Sequence, residues 1–184
     1  ELPEVLEQFY LKCGKTNGLI YNQDYLVLPN AYPTFINLEY IIFFNENQGV
    51  CRAGIKKTDA KMPDPPVYVS MDDKIWVKSS DKLSDFLVAM YGYQASICLE
   101  YCPEEFYWIT KEEKDKIEQL FGKRKEKLEM WMDFSVTLYG DNCHGRIALM
   151  HQEGEDDIQM NYAANTEEEY ERMAKLLEGI GEPI

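Results

Sequence analysis

The sequence predicts an α+β fold, a mostly antiparallel sheet with helices packed on it. Three observations predict it. Strand-like runs are joined by hairpin-length turns, helical periodicity is confined to a few separate segments, and a parallel nucleotide-binding pattern is missing. Such a parallel sheet would need regular strand–helix alternation and a glycine-rich first turn.

Residues 2–13 read as a helix. Pro3 suits the first turn, Val5, Leu6, Phe9 and Tyr10 form one apolar stripe, and Gly14 stops it before the loop Lys15-Thr16-Asn17-Gly18. Leu26-Val27-Leu28-Pro29 is a short extended piece. Leu38 to Phe44 is apolar at most positions, as expected of a strand covered on both faces. Asn45 to Gly49 reads as a hairpin loop, after which Cys51, Ala53 and Ile55 alternate with Arg52 and Lys56. Asp64-Pro65-Pro66 punctuates, since proline cannot donate to a ladder. Val67-Tyr68-Val69 and Ile75-Trp76-Val77 then flank a polar turn, completing a meander.

A helix is expected from about Asp81, capped by Ser80 or Asp81, with Leu83, Phe86, Leu87, Met90 and Tyr91 on one face. Gly92 obscures its end, and residues 93–109 carry no clear period. Thr110-Lys111-Glu112-Glu113 is a capping box opening a helix that stops at Gly122. The run Lys123-Arg124-Lys125-Glu126-Lys127 reads as a short solvated loop. Leu128, Met130, Met132, Phe134, Val136 and Leu138 alternate with Glu129, Trp131, Asp133, Ser135 and Thr137, which predicts one long strand. Turns at Gly140–Gly145 and Glu153–Asp157 bound strands Arg146–Gln152 and Ile158–Ala163. A second capping box, Thr166 to Glu169, opens a final helix with Tyr170, Met173, Ala174 and Leu177 inward.

The chain has 184 residues, a length that predicts one domain with a core large enough to need no staples. A hydrophobic content of 45% excludes a disordered chain, and no apolar run reaches the ~18 residues of a membrane helix. The net charge of −14 argues against nucleic acid or an anionic membrane as partner. Five cysteines without a regular framework, and no signal segment at the start, predict a reducing, cytoplasmic setting.

Chemistry-bearing patterns are sparse. Cys98 and Cys102 with Cys143-His144 have metal-ligand types, but lack the tight pairs of structural zinc sites, so buried or surface thiols are the expected reading. A Cys–His nucleophile would have to draw on His144 or His151, and no activating turn flanks any cysteine. Serine-hydrolase, phosphate-loop and zinc-protease motifs are absent. Neither a catalytic residue, a metal nor a cofactor is therefore expected. Carboxylate pairs involving Glu46, Asp72 or Asp73 arise freely in a chain of 33 acids, and solvated loop charge is their expected role.

Charge placement says more. The last 34 residues hold ten acids against Arg172 and Lys175, and Glu153, Glu155, Asp156 and Asp157 crowd a hairpin tip where no helix dipole accounts for them. Such a surface either confers solubility or steers a basic protein into contact. Trp76 lies on a short hairpin between Asp73 and Lys78, and Trp131 on the otherwise polar face of the long strand; each is either covered by another element or an interface anchor, with cover the expected state.

Four stretches together resemble the SUKH superfamily, which includes bacterial immunity proteins and fungal cell-wall-synthesis regulators. They are Leu2-Pro3-x-x-Leu6-x-x-Phe9-Tyr10 with Gly14; Glu46 to Cys51 with Gly54-Ile55; Asp64 to Val69; and Leu83-Ser84-x-Phe86-Leu87-x-x-Met90. Ala164 to Glu168 resembles the tail of longer bacterial relatives. Ala53 departs from the aromatic many members carry there. The resemblance implies a single SUKH-like domain over residues 1–184, with a core at 2–95 and a helix–strand–helix extension at 96–184. It implies a non-enzymatic binding module, foremost an immunity protein that neutralises a toxin by contact. The acidic balance would suit a basic, nuclease-like target, met by Asp72, Asp73, Trp76, Glu153, Glu155, Asp156 and Asp157. A regulatory module without a toxin, and a thiol- or metal-dependent hydrolase, are the alternatives.

Overall fold

A computed structural model describes residues 2–16, 22–34, 37, 39–140 and 144–184. The fold is α+β with antiparallel sheets, as predicted. The chain forms two compact units, Glu1–Val88 with Glu129–Met132, and Ala89–Leu128 with Asp133–Ile184.

The first unit opens with α1 (Glu4–Cys13), whose Leu6 is fully buried. Strands β1 (Tyr25–Leu26), β2 (Tyr40–Asn45), β3 (Arg52–Lys56), β4 (Val67–Ser70) and β5 (Val77–Ser80) form a sheet in chain order. Each strand pairs antiparallel with the next, so this is the meander that the hairpin-scale turns predicted. Two short 3-10 segments, Pro29–Thr34 and Lys57–Asp59, lie between strands. The expected start of β2 at Leu38 lies outside the described residues, as do Asn17 and Gly18.

Helix α2 (Leu83–Cys98) starts two residues later than expected and runs on through Gly92. Ser80 Oγ accepts from the Lys82 N–H, whereas Asp81 pairs with Lys78. A distant residue caps the first turn as well: Asp64 accepts from the Ser84 N–H at 2.8 Å and from its hydroxyl at 2.6 Å. A carboxylate on the exposed N–H groups of a helix start is favoured by both hydrogen bonding and the helix dipole.

The core of the first unit is aromatic. Phe43, Phe44, Phe86 and Trp131 are fully buried. Their rings meet edge to face, Phe43–Phe86 at 5.6 Å, Phe44–Trp131 at 5.9 Å and Phe86–Trp131 at 6.3 Å. Such pairs contribute about 0.5–1.5 kcal/mol each beyond area burial. Trp131 is thus covered, as expected, though the strand leading to it is not the long one predicted.

In place of that long strand, β7 (Lys123–Trp131) and β8 (Phe134–Tyr139) are separated by a turn at Met132-Asp133, with Met132 at φ +54°. The alternation of apolar residues runs straight across this reversal. The basic run 123–127, expected to be a loop, is the first half of β7. Its exposure alternates, and the strand lies at one end of a six-stranded sheet ordered β11-β6-β10-β9-β8-β7.

The second unit holds β8, most of β7 and the other four strands of that sheet. Those four are β6 (Tyr107–Ile109), β9 (Gly145–Gln152), β10 (Ile158–Ala164) and β11 (Glu182–Pro183). Helix α3 (Lys111–Leu120) starts on the predicted capping box, with both reciprocal bonds present at Thr110 and Glu113. Helix α4 (Glu167–Leu176) begins at Thr166, which accepts from the Glu169 N–H at 3.4 Å, while the Glu169 carboxylate grips Arg172 at two points. One sheet face supplies Leu149, Ile158 and Met160 to a core closed by Ile117, Met173 and Leu177. The last part of α2 lies against the other face. A Cβ on Gly92 would come within 2.5 Å of Leu138, and Tyr93 and Phe134 sit 6.0 Å apart. Gly92 therefore permits close helix–strand approach rather than ending the helix.

Candidate functional site

The sequence-predicted binding residues fall on two hairpin tips. Asp72, Asp73 and Trp76 belong to the first unit, and Glu153, Glu155, Asp156 and Asp157 to the second.

In the loop between β4 and β5, Asp72 Oδ1 accepts from the N–H groups of Lys74 (2.9 Å) and Ile75 (2.8 Å). These bonds, the Ile75 one foremost, hold its carboxyl below the usual carboxylate range. Asp73 adopts φ +60° and pairs with the Arg52 guanidinium. Both acids therefore shape the loop. Trp76 stacks on Tyr40, ring centroids 4.0 Å apart and planes 11° from parallel. It lies across Gly54, whose missing Cβ would stand 3.0 Å from the indole. Beside it, Lys56 Nζ sits 4.5 Å over the Tyr68 ring. Trp76 is half-buried, with one face of its ring covered by Tyr40 of its own sheet.

The β9–β10 tip is arranged differently. Gly154 takes φ +90°, and the Glu155 N–H donates to the Gln152 carbonyl, closing the turn. Asp156 pairs with Lys111 at 2.8 Å, a bond that holds its carboxyl below the usual range. Glu153 is exposed. Glu155 and Asp157 form no ion pair among the described residues, and both line a recess of about 280 Å³ with Trp108, Phe134 and Met150.

The sequence does not mark Trp108 as a binding residue. It is 44% exposed, while its neighbour Ile109 is buried, so a three-residue strand points the indole outward. Three residues are too few for a readable period. The signal available is a tryptophan two residues before a capping box, in a stretch lacking helical spacing.

A buried polar group lies elsewhere. Asp24 is 3% exposed, and the Trp131 side chain lies close enough to its carboxyl to lower its proton affinity by hydrogen bonding. Burial pushes the Asp24 carboxyl up to about 6; the Asn47 backbone hydrogen bond pulls it back, and Glu46 raises it further. Glu46, expected to be solvated, is in fact buried. Its Oε2 accepts from the N–H groups of Gln48 (2.8 Å) and Val50 (3.2 Å), so the carboxylate builds the β2–β3 turn.

The thiols and imidazoles do not converge on a reactive group among the described residues. Cys51 is buried, which pushes its thiol up to about 11, and the Met132 N–H donates to its sulfur at 3.4 Å. Cys98 and Cys102 are exposed. His144 Nδ1 contacts Asn165 Oδ1 at 3.1 Å, and His151 Nε2 contacts the Glu155 carbonyl at 3.2 Å. Cys143, the third thiol of the metal candidate, lies outside the described residues. No group of three or more His, Cys, Asp or Glu is placed to hold a metal among the described residues. No helix is long and apolar enough to cross a membrane among them. Comparison of the chain with protein-family models, curated proteins and solved structures returned no significant match.

Proposed function

We propose that this chain is a non-enzymatic protein-binding module, an immunity-type protein that neutralises a basic toxin by direct contact in the cytoplasm. The SUKH resemblance motivates the class of activity. The observation that carries it is the recess beside the β9–β10 tip, where two carboxylates without ion pairs among the described residues adjoin an exposed indole in a chain of net charge −14.

The parts have distinct roles. Clustered acids accelerate encounter with a basic surface and reject acidic ones. An aromatic at the centre of a contact slows dissociation. An inhibitor of this kind covers its partner's cleft and needs no reactive group of its own. On this reading Trp108, Glu155 and Asp157 replace Trp76, Asp72 and Asp73 as the principal contact residues, because the latter three are engaged within their own sheet and its turns.

The test is capture of the purified product of the adjacent gene, followed by association kinetics over an approximately tenfold range of salt. Steering predicts an association rate that falls steeply as salt rises, with dissociation little changed. A rate indifferent to salt removes the steering, and a neighbouring product that neither binds nor is inhibited removes the immunity reading.

A further inference from the structure

The recess carries more information than its charge. Strand register places Gln159 opposite Trp108 on one side and Met150 on the other, and Phe134 opposite Gln152. These side chains share the sheet face opposite the one closed by α3 and α4. At about 280 Å³ the recess falls just below the ~300–1,000 Å³ of small-molecule and cofactor sites. It has room for one side chain.

Its chemistry is lopsided toward acceptors. Glu155 and Asp157 bring two carboxylates. Gln152 donates its Nε2 to Asp133 at 3.1 Å, so its amide oxygen is the part left for a guest. Gln159 lines the recess as well, and its amide can turn its oxygen toward a guest. The walls, Trp108, Phe134 and Met150, are apolar or aromatic. A guest that satisfies such a site is cationic, rich in donors, flat enough to lie on an indole, and carried on an apolar stem.

We infer that the recess bounded by Trp108, Glu155 and Asp157 receives an arginine side chain of the partner protein. This rests on the protein-binding reading and names the group recognised. The guanidinium offers five N–H donors in a rigid plane, stacks on indole and is weakly hydrated, whereas a lysine ammonium is a compact, strongly hydrated point charge. The arginine methylenes pack on Phe134 and Met150, as long cationic side chains commonly do on apolar surface.

The test uses the full chain with 15N-labelled indoles and two probes, N-acetyl-arginine methylamide and its uncharged isostere N-acetyl-citrulline methylamide. Trp108→Phe assigns the Trp108 resonance. The expected result is a saturable shift of Trp108 with the arginine probe, at least about tenfold weaker binding of citrulline, and a similar loss in the Glu155→Gln, Asp157→Asn double variant. A Trp108 signal that ignores arginine, equal binding of citrulline, or full binding by the double variant overturns the inference. The two readings fail separately. A captured toxin with Trp108 indifferent to arginine sinks the arginine pocket alone, and arginine uptake without any toxin partner sinks the immunity reading alone.

Discussion

Replacing Asp24 by asparagine removes a charge from a buried site. Asp24 is 3% exposed, with Glu46 as a second buried carboxylate near it and the Cys51 thiol also in its field. Burial is the main reason its carboxyl rises from 3.8 to about 6. A carboxyl that binds its proton more tightly in the folded state stabilises the fold while protonated. That contribution is complete below pH 3.8 and is lost as pH rises through about 6. At about 1.36 kcal/mol per pH unit between the two values, ionised Asp24 lowers stability by roughly 3 kcal/mol at neutral pH and above. The asparagine side chain keeps the shape and one acceptor but never ionises. Because it still buries an amide, the expected net gain at pH 8 is about 2 kcal/mol. Urea denaturation followed by tryptophan fluorescence between pH 8 and pH 5 measures this directly. The wild type closes on the variant as pH falls, the gap shrinking by roughly 1.3 kcal/mol over that interval. A gap that stays constant across the range, or a variant less stable at pH 8, refutes the assignment of buried charge to Asp24.

Three other substitutions or treatments have definite expected outcomes. Gly54→Ala places a methyl 3.0 Å from the Trp76 ring, so it should cost about 1–2 kcal/mol where alanine in an open strand would gain stability, and near-ultraviolet circular dichroism should report the displaced Trp76–Tyr40 stack. Thr110→Ala removes the side-chain half of an intact capping box, and thermal melting should show a loss of about 1 kcal/mol. With its thiol up at about 11 and its side chain buried, Cys51 should resist alkylation at pH 8 in the native protein, while exposed Cys98 and Cys102 react; peptide mapping after a short pulse of iodoacetamide distinguishes them.

Much of the fold was legible because its boundaries are written in local chemistry. The Thr110 box, the strands on either side of the acidic tip, and the inward face of α4 all sit where side-chain type and period dictate. The failures share a cause as well. Met132-Asp133 reverses the chain without glycine or an Asn-Gly pair, so apolar alternation continued through a turn it could not reveal. Gly92 looked like a stop because its use, admitting Leu138 to the helix surface, depends on a strand forty-six residues away. The acidic half of the candidate site was visible as charge at a hairpin tip. Its aromatic half was not, since Trp108, Phe134 and Met150 come from three strands that only the sheet register aligns. Glu46 departs from the sequence expectation for a local reason, as short-range turn bonds outweigh a carboxylate's average preference for water.

Strand β7 ends the six-stranded sheet, and Lys123, Lys125 and Lys127 project to solvent along it. In a strongly acidic polypeptide these cations line the last strand of a sheet, where charged side chains discourage pairing with a further strand. Two such borders brought together would set ammonium against ammonium, so the border repels itself while remaining compatible with its anionic surroundings.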